Sequence, residues 1–179
     1  MIFATVGTQL PFDRLLLGLE SWALRNPEVP VLAQSGAHKL VLSQVKTVDR
    51  LGLPDFQAQF EAAKLIVAHA GMGTILAAAE LGKPIILMPR RAAFKEHRND
   101  HQMDTATEMA RLSNVTVAED TDALHQALDK AVSKGFACGT EVAAPASHGC
   151  EALIDEIRNF VWQDAPKTER GAPTARRAA

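Results

Sequence analysis

The stretch LIVAHAGMGTILAAAELGKP, residues 65–84, joins a short apolar run to a glycine pair and then to an alanine-rich segment. Leu65–Ala68 has the composition of a buried strand, and Thr74–Leu81 has helical spacing. The closing Gly-Lys-Pro is typical of the end of a helix. The stretch therefore predicts a strand, a glycine turn and a helix, which are consecutive parts of a βαβ unit.

The same alternation continues along the whole chain. Strands that alternate with helices indicate an α/β fold, here a Rossmann-like parallel sheet with helices on both faces. The predicted strands are Ile2–Val6, Val31–Gln34, Val41–Val45, Leu65–Ala68, Ile85–Met88 and Val115–Val117, and the predicted helices are Phe12–Arg25, Asp55–Lys64, Thr74–Leu81, Asn99–Leu112 and Asp122–Ser133.

The C-terminal part of the chain changes in character. A last helix is predicted from Pro145 to Trp162, with Leu153, Ile157 and Phe160 at helical spacing, which suits either the core or a docking surface. The remaining sequence has no apolar periodicity. We expect a single domain over residues 1–163 and a disordered tail over residues 164–179.

Composition argues against several classes of function. A net charge of −2 and a pI near 6.3 give no basic field for nucleic acid, so we expect no nucleic-acid partner. Cys138 and Cys150 lack the spacing of a zinc site. No leader pattern and no apolar run of about 18 residues is found, so a cytoplasmic protein is expected.

The glycine loop HAGMGT, residues 69–74, follows a predicted strand and precedes a helix. In an open parallel sheet this is where ligands bind, and a helix N-terminus with glycine amides favours a phosphate or diphosphate. The alternative is that Gly71 and Gly73 only permit a tight turn. The loop is neither a Walker loop nor a G-x-G-x-x-G fingerprint.

A second polar cluster, PRRAAFKEHRNDHQ, spans residues 89–102 after the next strand. Its hydrogen-bond donors suit an anionic or polyhydroxylated ligand. His101 and Gln102 begin a predicted helix and are expected to point toward the same crevice as the glycine loop. Alternatively, the basic residues Arg90, Arg91 and Lys95 are solvated and paired with Glu96 and Asp100.

Two acidic features have structural alternatives. Asp13 lies near the carboxyl end of the first strand and is a candidate base, although a role at the start of the first helix is favoured. Asp120-Thr121-Asp122 matches a D-x-D pattern, yet its position before a helical run indicates an N-cap. No metal site is predicted.

With these residues, the chain resembles the glycosyltransferase family 28 C-terminal domain, the UDP-sugar-binding half of the GT-B fold. The resemblance covers about Ile2 to Leu112 and rests on FATVGTQLPFDRL, HAGMGTILAAAELGKPIILMPR and EHRNDHQ. Within that group it is most similar to the short PssE-type exopolysaccharide transferase subunits.

The resemblance implies roles for individual residues. A donor diphosphate would lie over Gly71, Met72, Gly73 and Thr74, with the uracil near Leu53. His101 and Gln102 match positions that bind the sugar hydroxyls. The ribose-binding glutamate of relatives is replaced by Ala77, and Glu80, one turn further on, is a possible substitute. No cofactor is implied besides the UDP-sugar substrate.

The resemblance also implies a reaction and a partner. Because a GT-B enzyme uses two Rossmann-like halves, the acceptor half is expected from a membrane-anchored partner subunit that binds a lipid-diphosphate-linked saccharide and recruits this chain to the cytoplasmic face of the membrane. The expected chemistry is inverting, metal-independent sugar transfer in exopolysaccharide or capsule synthesis. Arg90, Arg91 and Arg98 favour glucuronate as the sugar, with galactose or N-acetylglucosamine as alternatives. A non-catalytic nucleotide-binding subunit is the competing interpretation.

Overall fold

The computed structural model describes residues 1–7 and 10–136, all within the unit Met1–Thr140. Six strands and five α-helices alternate along these residues, and a 3₁₀ turn, Ala92–Phe94, lies between β5 and α4. The elements are β1 Ile2–Thr5, α1 Asp13–Ala23, β2 Val31–Gln34, β3 Val45–Val48, α2 Leu53–Ala62, β4 Leu65–Ala68, α3 Met72–Glu80, β5 Ile85–Leu87, α4 His101–Met109, β6 Val115–Val117 and α5 Thr121–Ser133.

All six strands form one parallel sheet in the order β3-β2-β1-β4-β5-β6. The register places Ile2 of β1 between Val31 of β2 and Leu65 of β4. Strand order therefore reverses between β1 and β4, and an open α/β sheet binds its ligands at the carboxyl ends of the strands beside such a reversal.

Side chains of the strands alternate between two cores, one on each face of the sheet. Ile2 and Ala4 join the core that α1 and α5 cover, whereas Phe3 joins the core that α2 and α3 cover. Phe3 contacts Phe56 and Phe60 of α2 edge to face, with ring centroids 5.4 and 6.3 Å apart. The predicted Rossmann-like sheet with helices on both faces is confirmed.

One predicted strand was wrong. Val41–Val45 was expected to form the third strand, but β3 spans Val45–Val48 and Val41 is almost fully exposed. The Glu20 carboxylate of α1 accepts hydrogen bonds from the backbone N–H groups of Ser43, Gln44 and Val45 at 2.7 to 3.2 Å. The Glu20 side chain thus accepts the hydrogen bonds that these backbone N–H groups would otherwise donate to a neighbouring strand.

Several other expectations differ from the structure or lie outside it. Helix α2 begins at Leu53 instead of Asp55, and α4 is shorter at both ends than Asn99–Leu112. The predicted helix Pro145–Trp162, the tail over residues 164–179, and both cysteines lie outside the described residues. Among the described residues, no helix is long and apolar enough to cross a membrane.

Candidate ligand-binding crevice

A crevice of about 420 Å³ opens at the carboxyl ends of β1 and β4, where the strand order reverses. Loops that follow β1, β4 and β5 provide most of its walls. The lining residues used below are Gly7, Gln34, Phe56, His69, Gly71, Met72, Gly73, Thr74, Arg90, His97, His101, Gln102 and Thr105. The structure thus brings the predicted glycine loop together with His101 and Gln102.

The glycines around the crevice have different roles. A Cβ on Gly71 would collide with the His69 imidazole, 2.9 Å from Cε1 and closer still to Nε2. A Cβ on Gly7, whose φ is +82°, would lie 2.7 Å from the same ring. Gly73 is different, since a Cβ there would meet no protein atom within 4 Å. Gly7 and Gly71 make room for His69, whereas Gly73 leaves its backbone open to the crevice.

His69 is held neutral by its surroundings. Burial, then the nearby charge of Arg90, lower the pKa of His69 to about 4, and the Thr5 carbonyl opposes them only in part. Nδ1 is buried and has no hydrogen-bond partner of regular geometry. At neutral pH, His69 therefore presents an uncharged ring to the crevice.

Helix α3 begins at the crevice without a capping side chain. Gly71 is the N-cap, and no side chain bonds to the first amides of the helix. Thr74 N–H donates to the Gly71 carbonyl at 3.2 Å, which leaves Met72 and Gly73 to present the N-terminal amides. Uncapped amides and the positive end of the helix dipole form a site that favours an anion.

Arg90 is buried, and backbone carbonyls occupy its guanidinium. Nη1 donates to Pro11 O at 2.6 Å and to Glu96 O at 3.3 Å, while Nη2 donates to Val6 O and Leu10 O, both at 2.7 Å. The Phe12 ring stacks 4.5 Å from the guanidinium carbon. Burial lowers the pKa of Arg90 below its ordinary value. Arg90 therefore ties the loop after β1 to the loop after β5.

Gln102 is buried and fixed in orientation. Its Oε1 accepts from the backbone N–H of Arg90 at 3.1 Å, which leaves Nε2 as the donor for a ligand. His97 and His101 stack edge to face with centroids 4.5 Å apart, and both rings bond to the Asn99 side chain. Helix α4 begins at His101, so both residues lie in its first turn, as expected.

Other candidate residues lie outside the lining. Arg91 pairs with Glu119 at 3.0 Å, and Arg98 is exposed. Asp13 is the exposed first residue of α1, and no side-chain hydrogen bond caps that helix. Glu96 and Asp100 were the expected ion-pair partners of the basic cluster, but their side chains bond elsewhere. Glu96 pairs with Arg14, and Asp100 accepts a hydrogen bond from the backbone N–H of Ala92.

The residues expected near uracil and ribose lie at different distances from the crevice. Leu53 is 72% exposed at the start of α2 and is not part of the lining, whereas Phe56, one turn later, is. Glu80 is the last residue of α3 and is exposed. It lies roughly 9 Å beyond Thr74 along the helix axis, which places it away from the crevice end of α3.

The D-x-D pattern is a helix cap. Asp120 is the N-cap of α5, and its Oδ1 accepts from Ala123 N–H at 2.8 Å. This confirms the predicted capping role. Within residues 1–7 and 10–136, no group of three or more His, Cys, Asp or Glu side chains is placed to hold a metal ion.

Sequence reasoning missed two residues that line the crevice, Gln34 and His69. Gln34, the last residue of the predicted strand Val31–Gln34, is buried and donates to Thr5 Oγ1 at 3.5 Å, while its Oε1 accepts from Leu51 N–H at 2.9 Å. Its position at the carboxyl end of β2, the strand paired with β1, is the signal that could have found it. His69 had a comparable signal, since it is the first residue of the glycine loop.

The strand order and the crevice place the chain in the class of Rossmann-like domains that bind ligands at the carboxyl edge of the sheet. Within that class, the chain belongs to the glycosyltransferase family 28 C-terminal domain, whose family model matches residues 1–157. No curated protein sequence matches the chain.

Solved structures with a similar fold include MurG from Acinetobacter baumannii, with a TM-score of 0.58, 20% identity, and coverage of 88% of this chain and 49% of that one. The glycotransferase of kitacinnamycin has a TM-score of 0.54 and 20% identity, covering 75% and 36%. UDP-GlcNAc 2-epimerase from Neisseria meningitidis, solved with UDP-GlcNAc, has a TM-score of 0.54 and 13% identity, covering 75% and 36%. The chain thus spans less than half the length of these structures.

Proposed function

We propose that this chain is the donor-binding, catalytic subunit of an inverting glycosyltransferase that takes its sugar from a UDP-sugar. The observation that carries the proposal is the open backbone of Gly73 at the uncapped start of α3, inside the crevice of a family 28 domain. A diphosphate can approach the amides of Met72 and Gly73 there without meeting a side chain.

The proposed step exchanges one bond at the anomeric carbon of the sugar. An acceptor oxygen forms the new bond, the bond to the β-phosphate oxygen breaks, and UDP leaves with the electron pair. The α3 amides and helix dipole would stabilise the charge that develops on the leaving diphosphate, a role that needs no metal ion. The acceptor hydroxyl must lose its proton to a base.

The catalytic base is proposed to come from the partner subunit. Asp13, the candidate within this chain, is exposed and is not part of the crevice lining. A base must come within hydrogen-bond reach of the proton it takes, or act through one water.

The donor sugar is proposed to be an uncharged hexose such as galactose or N-acetylglucosamine. Glucuronate was expected because of three arginines, but Arg90 donates to backbone carbonyls, Arg91 pairs with Glu119, and Arg98 is exposed outside the lining. The side chains that line this part of the crevice are His97, His101, Gln102 and Thr105, which suit sugar hydroxyls. UDP-glucuronate is the alternative.

The acceptor half is proposed to belong to a membrane-anchored partner that binds a lipid-diphosphate-linked saccharide, in exopolysaccharide or capsule synthesis. Support comes from family membership, because the family model that matches residues 1–157 is that of a C-terminal domain. A non-catalytic subunit that activates a separate transferase is the competing proposal.

The test is to co-express the chain with the protein encoded beside it and to supply membranes that contain lipid-linked saccharides. UDP-galactose, UDP-GlcNAc and UDP-glucuronate are offered separately, with wild type and Gln102→Ala. Transfer from a neutral donor that Gln102→Ala abolishes in an intact complex is the expected result. Transfer that is unchanged in Gln102→Ala would favour the non-catalytic subunit, and absence of transfer with a stable complex would contradict the enzyme proposal.

A further inference from the structure

The β5–α4 loop, residues 88–100, forms one wall of the crevice through His97 and leads directly into His101 and Gln102. The 3₁₀ turn Ala92–Phe94 is its regular segment. A connection of this length with little secondary structure needs anchors elsewhere in the fold to hold a fixed shape. Its anchors therefore determine where the polar side chains of this wall lie.

Besides Arg90, the loop is anchored by an ion pair between Arg14 of α1 and Glu96 of the loop. Arg14 Nε donates to Oε1 at 2.8 Å and Nη2 donates to Oε2 at 2.9 Å, which is bidentate geometry. The two side chains are 18% and 10% exposed. Glu96 Oε2 also accepts from the Arg91 backbone N–H at 3.0 Å. Paired planar geometry and low exposure make this contact far more directional than a surface ion pair.

Arg14 is itself fixed by further contacts. Its Nη1 donates to Glu119 O at 3.0 Å and its Nη2 donates to Pro89 O at 2.8 Å. Its guanidinium lies between the rings of Phe12 and Phe94, 5.3 and 5.2 Å from their centroids. Since α1 packs on the sheet through a buried face, Arg14 ties the loop to the rigid core.

We propose that Arg14 and Glu96 are positioning residues for the sugar of the donor. Neither residue lines the crevice, but Glu96 is adjacent in the chain to His97, and the ion pair fixes this wall to α1. The proposal rests on the proposed function of the crevice. It assigns the two residues to recognition of the sugar, while the α3 amides bind the diphosphate.

Because different groups bind the diphosphate and the sugar, the affinities for UDP and for a UDP-sugar should respond differently to loss of the ion pair. UDP contacts the glycine loop, which neither residue touches, so UDP affinity should not depend on the ion pair. A UDP-sugar also reaches the β5–α4 wall, so the affinity for a UDP-sugar should depend on the ion pair. A merely structural ion pair would instead affect both ligands to the same extent.

The experiment uses Glu96→Gln and Arg14→Lys in the full chain and measures Kd for UDP, UDP-galactose and UDP-GlcNAc by calorimetry. Glu108→Gln is the matched control, because Glu108 pairs with Arg111 at 3.1 Å but both side chains are more than half exposed. Phe94→Ala, at a 56% exposed position, is a milder variant that removes the ring lying against Arg14 and Arg91 but leaves the ion pair intact.

We expect Glu96→Gln and Arg14→Lys to bind the better UDP-sugar roughly tenfold more weakly, as when a charge-assisted hydrogen bond is lost, and to bind UDP within about twofold of wild type. Phe94→Ala should weaken UDP-sugar binding by a smaller factor, and Glu108→Gln should bind both ligands as wild type does. Equal losses for UDP and UDP-sugar, or no loss in either variant, would overturn the proposal. Failure of the wild type to bind any of these ligands would instead overturn the proposed function, and this inference with it.

Discussion

The glycines of HAGMGT serve two different purposes at the residue scale. Gly71, like Gly7 in the loop after β1, lies against the His69 ring, where a side chain would not fit. Gly73 faces open space at the start of α3. The sequence pattern predicted a tight turn or a phosphate site as alternatives. The structure shows the close packing of a tight turn at Gly71, and a phosphate site at Gly73 stays a prediction.

Substitution of each glycine by alanine should separate these purposes. Gly71→Ala is expected to lower the free energy of unfolding by about 1–3 kcal/mol, because the new Cβ forces the His69 ring to move. Gly73→Ala should leave stability unchanged or raise it by up to about 1 kcal/mol, since alanine is the better helix residue. Urea denaturation of both variants measures these changes.

The Gly73→Ala variant should also differ from wild type in ligand binding. In Gly73→Ala the Cβ would stand between the amides and the diphosphate, so UDP should bind on the order of tenfold more weakly to a fully folded protein. Wild-type UDP affinity in Gly73→Ala would show that the loop is only a turn.

His69 should make stability depend on pH. Because its pKa is about 4 in the folded chain and near 6.5 when unfolded, the unfolded chain binds the extra proton between these values. Stability should therefore fall as pH falls from about 6.5 to 4, by up to about 3 kcal/mol from this residue. Above pH 6.5 the contribution should vanish.

The measurement is the free energy of unfolding from pH 7.5 to 4.5 for wild type and His69→Asn, with His38→Asn as a control outside the crevice. Wild type should lose more stability than His69→Asn across this range. Parallel curves for these two proteins would mean that His69 titrates normally in the folded state.

At the scale of the elements, the sequence predicted those parts whose contacts are local. The strand and helix around the glycine loop follow from their own apolar patterns, and the cap of α5 follows from Asp120 three residues before Ala123. β3 was misplaced because Glu20, on α1, binds the amides of residues 43–45. The β5–α4 loop was misread because its anchor, Arg14, lies 82 residues from Glu96.

The cap of α5 offers a test that also addresses metal binding. Asp120→Ala should lower the free energy of unfolding by about 1 kcal/mol, since Ala123 N–H loses its acceptor. Asp122→Ala, in the first turn without the capping role, should cost less. UDP binding should be unchanged in both variants, with or without Mn²⁺. Mn²⁺-dependent UDP binding that Asp120→Ala abolishes would support the metal interpretation.

At the scale of the whole molecule, the strand reversal between β1 and β4 gathers groups that are far apart in sequence. The α3 amides, the neutral His69 ring and the Gln102 amide meet at one crevice, and two cores cover the faces of the sheet that carries it. Family 28 membership gives this crevice a sugar-nucleotide interpretation, which the Rossmann-like strand order alone does not distinguish from a dinucleotide site.

The most direct measurement is therefore a calorimetric titration of the full chain with UDP and, separately, with NAD. UDP should bind with a Kd between about 1 μM and 1 mM, the range usual for enzyme substrates, and NAD should bind at least roughly tenfold more weakly. Tighter binding of NAD than of UDP would contradict the assignment of this crevice to a UDP-sugar.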